Sequence, residues 1–139
     1  MTINAIFDRT SNLLVKTAEL RSRKAEVIAG NIANLDTPGY QARDFSFSQA
    51  LREAVEGAAA SLPLATTHPG HLRPGGSLNQ VSGSVTTREN QLGGLDSNSV
   101  NLDREMVEQA INHGAYSRSM QMLKSKMAIL KTAIVEGGK

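Results

Sequence analysis

The sequence contains no cysteine and no tryptophan, and only 4% of its 139 residues are aromatic. Without cysteine there can be no disulfide, no thiolate metal ligand and no thiol nucleophile. With so few large rings a deep core is hard to build at this length, so stability must come in part from elsewhere. Long apolar runs are missing as well: nowhere do about 18 apolar residues follow one another, as a membrane-spanning helix requires. The first residues do not follow the basic, apolar, small-residue order of a cleavable signal, so no conventional export route is expected. Nor does one sign of charge prevail. Fifteen Lys and Arg face thirteen Asp and Glu, interspersed along the chain, for a net charge of +2. Such a balance gives no polyanion-binding patch. The four prolines all fall between Pro38 and Pro74, leaving both ends of the chain free of helix breakers.

What is present is concentrated at those ends. From Asn4 to Leu35, Ile6, Leu13, Leu20 and Val27 recur seven apart, with Phe7, Leu14, Ile28 and Leu35 beside them. This period predicts one long helix, its far side carrying Arg9, Lys16, Glu19, Arg23 and Glu26. A second seam runs from Leu102 to Ile134 through Met106, Tyr116, Met120, Leu123, Met127 and Leu130, interrupted only by Gln109 and His113. Asn101 is the expected N-cap; Asp103, Glu105 and Glu108 crowd the first turns and Lys124, Lys126 and Lys131 the last, which matches the helix dipole.

Between the helices a short third one is expected from Phe47 to Val55, capped by Ser46 or Ser48. Leu62 to Ser99 reads as loop, rich in Pro, Gly, Ser, Thr and Asn, with a strand hint only over Gln80 to Arg88. The chain thus divides into residues 1–40, 41–100 and 101–139. The fold class is mainly α, with the terminal helices forming an antiparallel, coiled-coil-like hairpin. A hairpin buries one stripe on each helix, and these faces are broader than that. The surplus marks an assembly interface: Ile6, Leu13, Leu20, Val27 and Ile28 on the first helix, and Met106, Met120, Leu123, Met127, Leu130 and Ile134 on the last.

No chemistry competes with that reading. His68-Pro69-Gly70-His71 places two imidazoles three apart, but proline and glycine between them make a turn rather than a helical ligand pair. His113 sits in the helical seam as a packing residue. The glycines at 75, 76, 83, 93 and 94 are not followed by the Gly-Lys-Ser/Thr of a phosphate loop. No catalytic, cofactor-binding or metal-binding residue is assigned. A small helical regulatory or nucleic-acid-binding protein is the alternative from another class, carried only by a pI of about 9.2.

The most specific local signal lies where the first helix must stop, at Gly30-Asn31-Ile32-Ala33-Asn34-Leu35-Asp36-Thr37-Pro38-Gly39-Tyr40. Pro38 and Gly39 suit the central positions of a type II turn, the second of which needs positive φ. Asn31 and Asn34, one helical turn apart, are placed to bond carbonyls at the helix end or backbone of an adjoining chain. Tyr40 brings a ring with a polar tip to the same junction.

Asn31, Ile32, Ala33 and Asn34 followed by Thr37, Pro38, Gly39 and Tyr40 resemble the hallmark of the axial proteins of the bacterial flagellum, the rod, hook and hook-associated family. Leu35-Asp36, Ala42 to Phe45, Thr66 to Pro69 and Val100 to Met106 are similar to its basal-body rod members over almost the whole chain. The resemblance implies a structural subunit without enzymatic activity or cofactor. Its terminal helices would line the torque-transmitting hollow rod near the membrane-proximal end, within the MS ring and periplasm. It implies passage through the flagellar type III export apparatus without a cleavable signal, and neighbours that include FlgC, further rod proteins and the rod-base adaptor FliE. The position of FlgC itself is the alternative within the family. Phe47 and Leu51 resemble the export-gate recognition segment of related substrates; they are equally the apolar side of a short amphipathic helix.

Overall fold

The structure is a computed structural model that describes residues 8–60, 78, 81–88 and 97–137. Helix α1 spans Arg9–Ala33 and helix α3 Leu102–Glu136; between them lie strand β1 (Arg43–Ser46), helix α2 (Ser48–Ala60) and strand β2 (Ser84–Thr87). The long helices pack against each other and the strands pair antiparallel, Arg43 opposite Thr87 and Ser46 opposite Ser84.

Among the described residues helix α1 begins at Arg9, capped by Asp8, whose carboxylate accepts from the Ser11 amide at 3.0 Å; the expected start at Asn4 lies outside them. Ile6 and the His68–His71 segment lie outside the described residues. At the far end the helix ends at Ala33, two residues before the expected Leu35, and Asn34 caps it. Thr37 to Tyr40 then form the expected turn, with Gly39 at φ +73° and the Tyr40 amide donating to the Thr37 carbonyl at 3.2 Å. Asn101 caps α3 as anticipated, accepting from the Arg104 amide at 3.0 Å.

Two of the shorter elements differ from expectation. α2 runs on past Val55 to Ala60, and the first carbonyl it uses belongs to Phe47, so neither Ser46 nor Ser48 occupies the cap. β1 is an element the sequence pattern did not announce. Its four residues pair with a strand some forty positions away, and only Phe45 and Phe47 alternate inward.

The core is small, as the scarcity of aromatics demands. Leu20 of α1 meets Phe45, Phe47, Ala54 and Val81, with Val27, Ala50, Leu51 and Leu78 packed around them. Leu20 and Val27 therefore belong to the chain's own interior and Ile28 is 4% exposed, so these three of the expected interface residues are spent inside the subunit. Gly83 backs directly onto the Phe45 ring: a Cβ there would lie 2.0 Å from the ring's Cζ. Gly83→Ala should consequently displace that ring and cost about 1–3 kcal/mol, readable as a lowered urea midpoint. An unchanged midpoint would mean that the Phe45 ring does not pack against Gly83.

The seam between the long helices differs most from the sequence reading. α3 buries Glu105, Asn112, Ala115 and Ser119, and α1 presents Ser11, Ala18, Ile28 and Asn31. Apart from Ile28 these are small or polar side chains at heptad-like spacing, which let two helices approach closely and exchange specific hydrogen bonds. Asn112 donates to the Arg21 carbonyl at 2.8 Å, and Lys24 pairs with Glu108 at 2.7 Å. The apolar seam expected through Met106, Met120 and Ile134 lies about one position round the helix and faces outward, at 58, 41 and 65% exposure.

Candidate assembly surface and the corner that orients it

At the end of α1 the chain turns sharply, and the corner is held by polar side chains rather than by packing. Asn31 is fully buried, and its amide completes a two-point pairing with the backbone of β1. Its Oδ1 accepts from the Arg43 amide at 2.9 Å and its Nδ2 donates to the Arg43 carbonyl at 2.8 Å. The same Nδ2 reaches Glu105 at 3.0 Å, and the Tyr40 hydroxyl approaches Oδ1 at 3.4 Å. One asparagine thus joins α1, β1 and α3. Asn34 satisfies the Gly30 carbonyl at 2.8 Å, one of those left free at the helix end. Both asparagines act within the chain.

Glu105 is 1% exposed and carries the second half of the joint. Its other oxygen accepts from Arg88 Nη1 at 2.8 Å, and Arg88 also grips Asp44 through Nε at 3.1 Å and through Nη2. The hydrogen bond from Arg88 holds the Asp44 carboxyl below the ordinary carboxylate range, and Asp44 in turn raises the Arg88 pKa further. Charges this deep persist because each is paired and hydrogen-bonded. Asn98 and Ser99 finish the corner. The Asn98 amide is shared among the carbonyls of Asn34, Leu35 and Thr37 at 2.7–3.0 Å, and Ser99 Oγ accepts from the Ala42 amide at 2.8 Å.

At the opposite end of the hairpin Asp8 bonds Lys126, which fixes where along α3 the first helix begins. That hydrogen bond is the main reason Asp8 titrates at about 2 instead of 3.8. The folded pKa is depressed, so the contribution to stability is present above pH 3.8 and is lost as pH falls through about 2. Asp8→Asn should remove this part of the acid dependence of thermal unfolding, with the Asn variant losing less than the parent between pH 4 and pH 2; parallel curves would contradict the pairing.

With the hairpin closed along its polar seam, α3 keeps much of its apolar surface. Leu102, Met106, Val107, Ile111, Met120, Met122, Ile129, Ile134 and Val135 are all exposed, the last four of them between 61 and 69%. Of the remaining expected interface residues, Leu13 on α1 and Leu123, Met127 and Leu130 on α3 are half-buried. An isolated soluble chain seldom leaves so long an apolar helix uncovered. Phe47 is buried under the Arg21 guanidinium, 5.6 Å from its ring centre, and Leu51 packs beside it. Among the described residues no three His, Asp or Glu side chains gather as a metal site, and no helix is long and apolar enough to cross a membrane.

Residues 13–41, which contain the corner and most of α1, match the family described as flagella basal body rod protein. The chain is 35% identical over 130 residues to the flagellar basal body rod protein FlgB of Aeromonas hydrophila, covering 92% of this chain and 94% of that one. It belongs to the FlgB family of flagellar basal body rod proteins. The Escherichia coli FlgB is 33% identical over 121 residues, and that of Proteus mirabilis 28% over 135, so the likeness extends through the middle segment as well as the helices. As a FlgB-type rod protein the chain is a structural component of the flagellar basal body, in a family of structural rather than catalytic proteins, and it associates with other basal-body components. The Asn31 to Tyr40 part of the joint lies within the matched residues 13–41: Asn31 reaches the middle segment and α3 at once, while Pro38 and Gly39 turn the chain toward β1. Arg88, Asn98, Ser99 and the buried role of Glu105 escaped the sequence reading. Arg88 stands alone in a segment without periodicity, and Glu105 looks like an ordinary first-turn acid; only its step to Asn112, seven residues on, hints at a common face.

Proposed function

We propose that the chain is a proximal-rod subunit whose work is geometric. α1 and α3 form the inner helical layer, and the uncovered edges of α3 are completed by equivalent helices of neighbouring subunits in a helical array. The observation that carries this is the exposure of Met106, Met120 and Ile134 on a helix whose own partner lies along a polar seam. Residues 1–40 and 101–139 supply that layer and residues 41–100 stand outside it, oriented by the corner from Asn31 to Tyr40.

Membership of the family supports a finer placement. The subunit sits in the rod within the MS ring and periplasm, beside FlgC, further rod proteins and the adaptor FliE. It reaches that place unfolded through the type III export apparatus. Phe47 and Leu51, packed inside the folded chain, are offered to an export gate only before folding. Cells without the chain should assemble basal bodies that stop before the rod, and a tagged copy should restore the rod and copurify with it. Complete rods in those cells would overturn the assignment.

A further inference from the structure

Two exposed edges of the hairpin carry the same spacing with opposite content. On α1, Val15, Glu19, Ser22, Glu26 and Ala29 follow one another at steps of four, three, four and three, and all five are exposed. On α3, Met120, Lys124, Met127, Lys131 and Ile134 repeat those steps, exposed except for the half-buried Met127. The second and fourth positions are charged on both edges, acidic on α1 and basic on α3. At the uncharged positions the two helices alternate in size, with Ser22 and Ala29 small where Met127 and Met120 are long.

Charge also distinguishes the edges beyond these pairs. From Gln109 to Val135 α3 contains no carboxylate at all, and of its cations there only Lys126 is ion-paired within the chain among the described residues. Glu19 and Glu26 make in-helix contacts to Lys16 at 3.1 Å and Arg23 at 4.0 Å, yet both carboxylates stay about two-thirds exposed, so a second cation can reach them. Within one molecule the two edges cannot meet: α1 and α3 run antiparallel with Arg21 opposite Asn112, which leaves Met127 roughly 24 Å along the axis from Ser22.

We propose that these edges are the two halves of one contact between copies of this chain, α3 of one lying antiparallel on α1 of the next with Lys124 against Glu26 and Lys131 against Glu19. A screw about an axis parallel to the helices, turning the neighbour and advancing it along the axis by the roughly 24 Å that separates the edges within one molecule, preserves the helix directions, so a neighbour's α3 meets α1 in the same antiparallel sense as inside the hairpin. In that register every facing pair closes together: Met120 with Ala29, Met127 with Ser22, Ile134 with Val15. The two edges differ, so the contact is heterologous and repeats from copy to copy, which deepens the rod reading and rests on it.

The test uses the cysteine-free background. A Ser22→Cys/Met127→Cys chain, expressed in place of the parent, keeps all four charges; oxidation of isolated basal bodies should give a ladder of disulfide-linked multimers. Separately, Lys124→Glu/Lys131→Glu should lower the amount recovered in basal bodies about tenfold, the order two rim ion pairs supply. Adding Glu19→Lys/Glu26→Lys to that variant should restore it. A chain that enters basal bodies normally but forms no ladder, or a charge swap that fails to restore what the reversal removed, overturns the edge pairing and leaves the rod assignment standing. Parent chain missing from basal bodies overturns the assignment itself.

Discussion

Replacing Arg88 by alanine should cost the folded chain about 3–5 kcal/mol, the largest effect of any single substitution outside the core. The reason is what remains. Glu105 would be left almost fully buried with one oxygen bonded to Asn31 and the other facing no cation, and Asp44 would lose the guanidinium that lowers its pKa. Leaving a buried charge uncompensated is far more costly than never having placed it there. The double variant Arg88→Met/Glu105→Leu should therefore recover most of the loss, because it removes both charges and fills their volume with apolar groups. Urea unfolding followed by helix content measures both. A loss below about 1 kcal/mol for Arg88→Ala would mean that water reaches Glu105 and that the corner is wet.

The second large effect is expected at the opposite surface and in a different observable. Met120→Asp/Ile134→Asp should leave the unfolding free energy of the isolated chain within about 0.5 kcal/mol of the parent, since both side chains face solvent. Rod formation and swimming should nevertheless be lost. Burying an apolar side chain of this size at a neighbour contributes about 1.5–3 kcal/mol per site, and a carboxylate in its place must be desolvated without a partner. The dissociation of the two readouts is the point: a core defect would move both, an assembly defect only one. Wild-type motility in this variant would remove Met120 and Ile134 from the interface.

The sequence disclosed what is periodic and what is local. Both long helices, the Asn101 cap and the Pro38-Gly39 turn follow from spacing and turn chemistry within a few residues. It did not disclose which stripe of α3 meets α1. The apolar row through Met106 and Met120 is the obvious seam, yet Glu105, Asn112, Ala115 and Ser119 are buried instead. A buried glutamate is legible only once its partners, Asn31 and Arg88, are brought from 74 and 17 positions away. Of the strand pair, Ser84–Thr87 falls inside the strand expected over Gln80 to Arg88, and only its partner was hidden, for the same reason. Arg43 to Ser46 has little strand character of its own, and it is organised by the Asn31 amide on one side and by Ser84–Thr87 on the other. What escaped is thus the set of long-range polar contacts, and they divide the labour of the molecule. Polar groups close the corner and much of the seam between the long helices, while a row of apolar side chains on α3 stays exposed.

That division is tested most directly by a density map of the isolated basal body, resolved to side chains in the rod. The expected map has Met106, Met120 and Ile134 of each copy covered by another chain while Glu105 remains joined to Arg88 inside its own. A map in which that row of α3 faces water, or in which the hairpin is opened and Glu105 bonds a neighbour, would contradict the account.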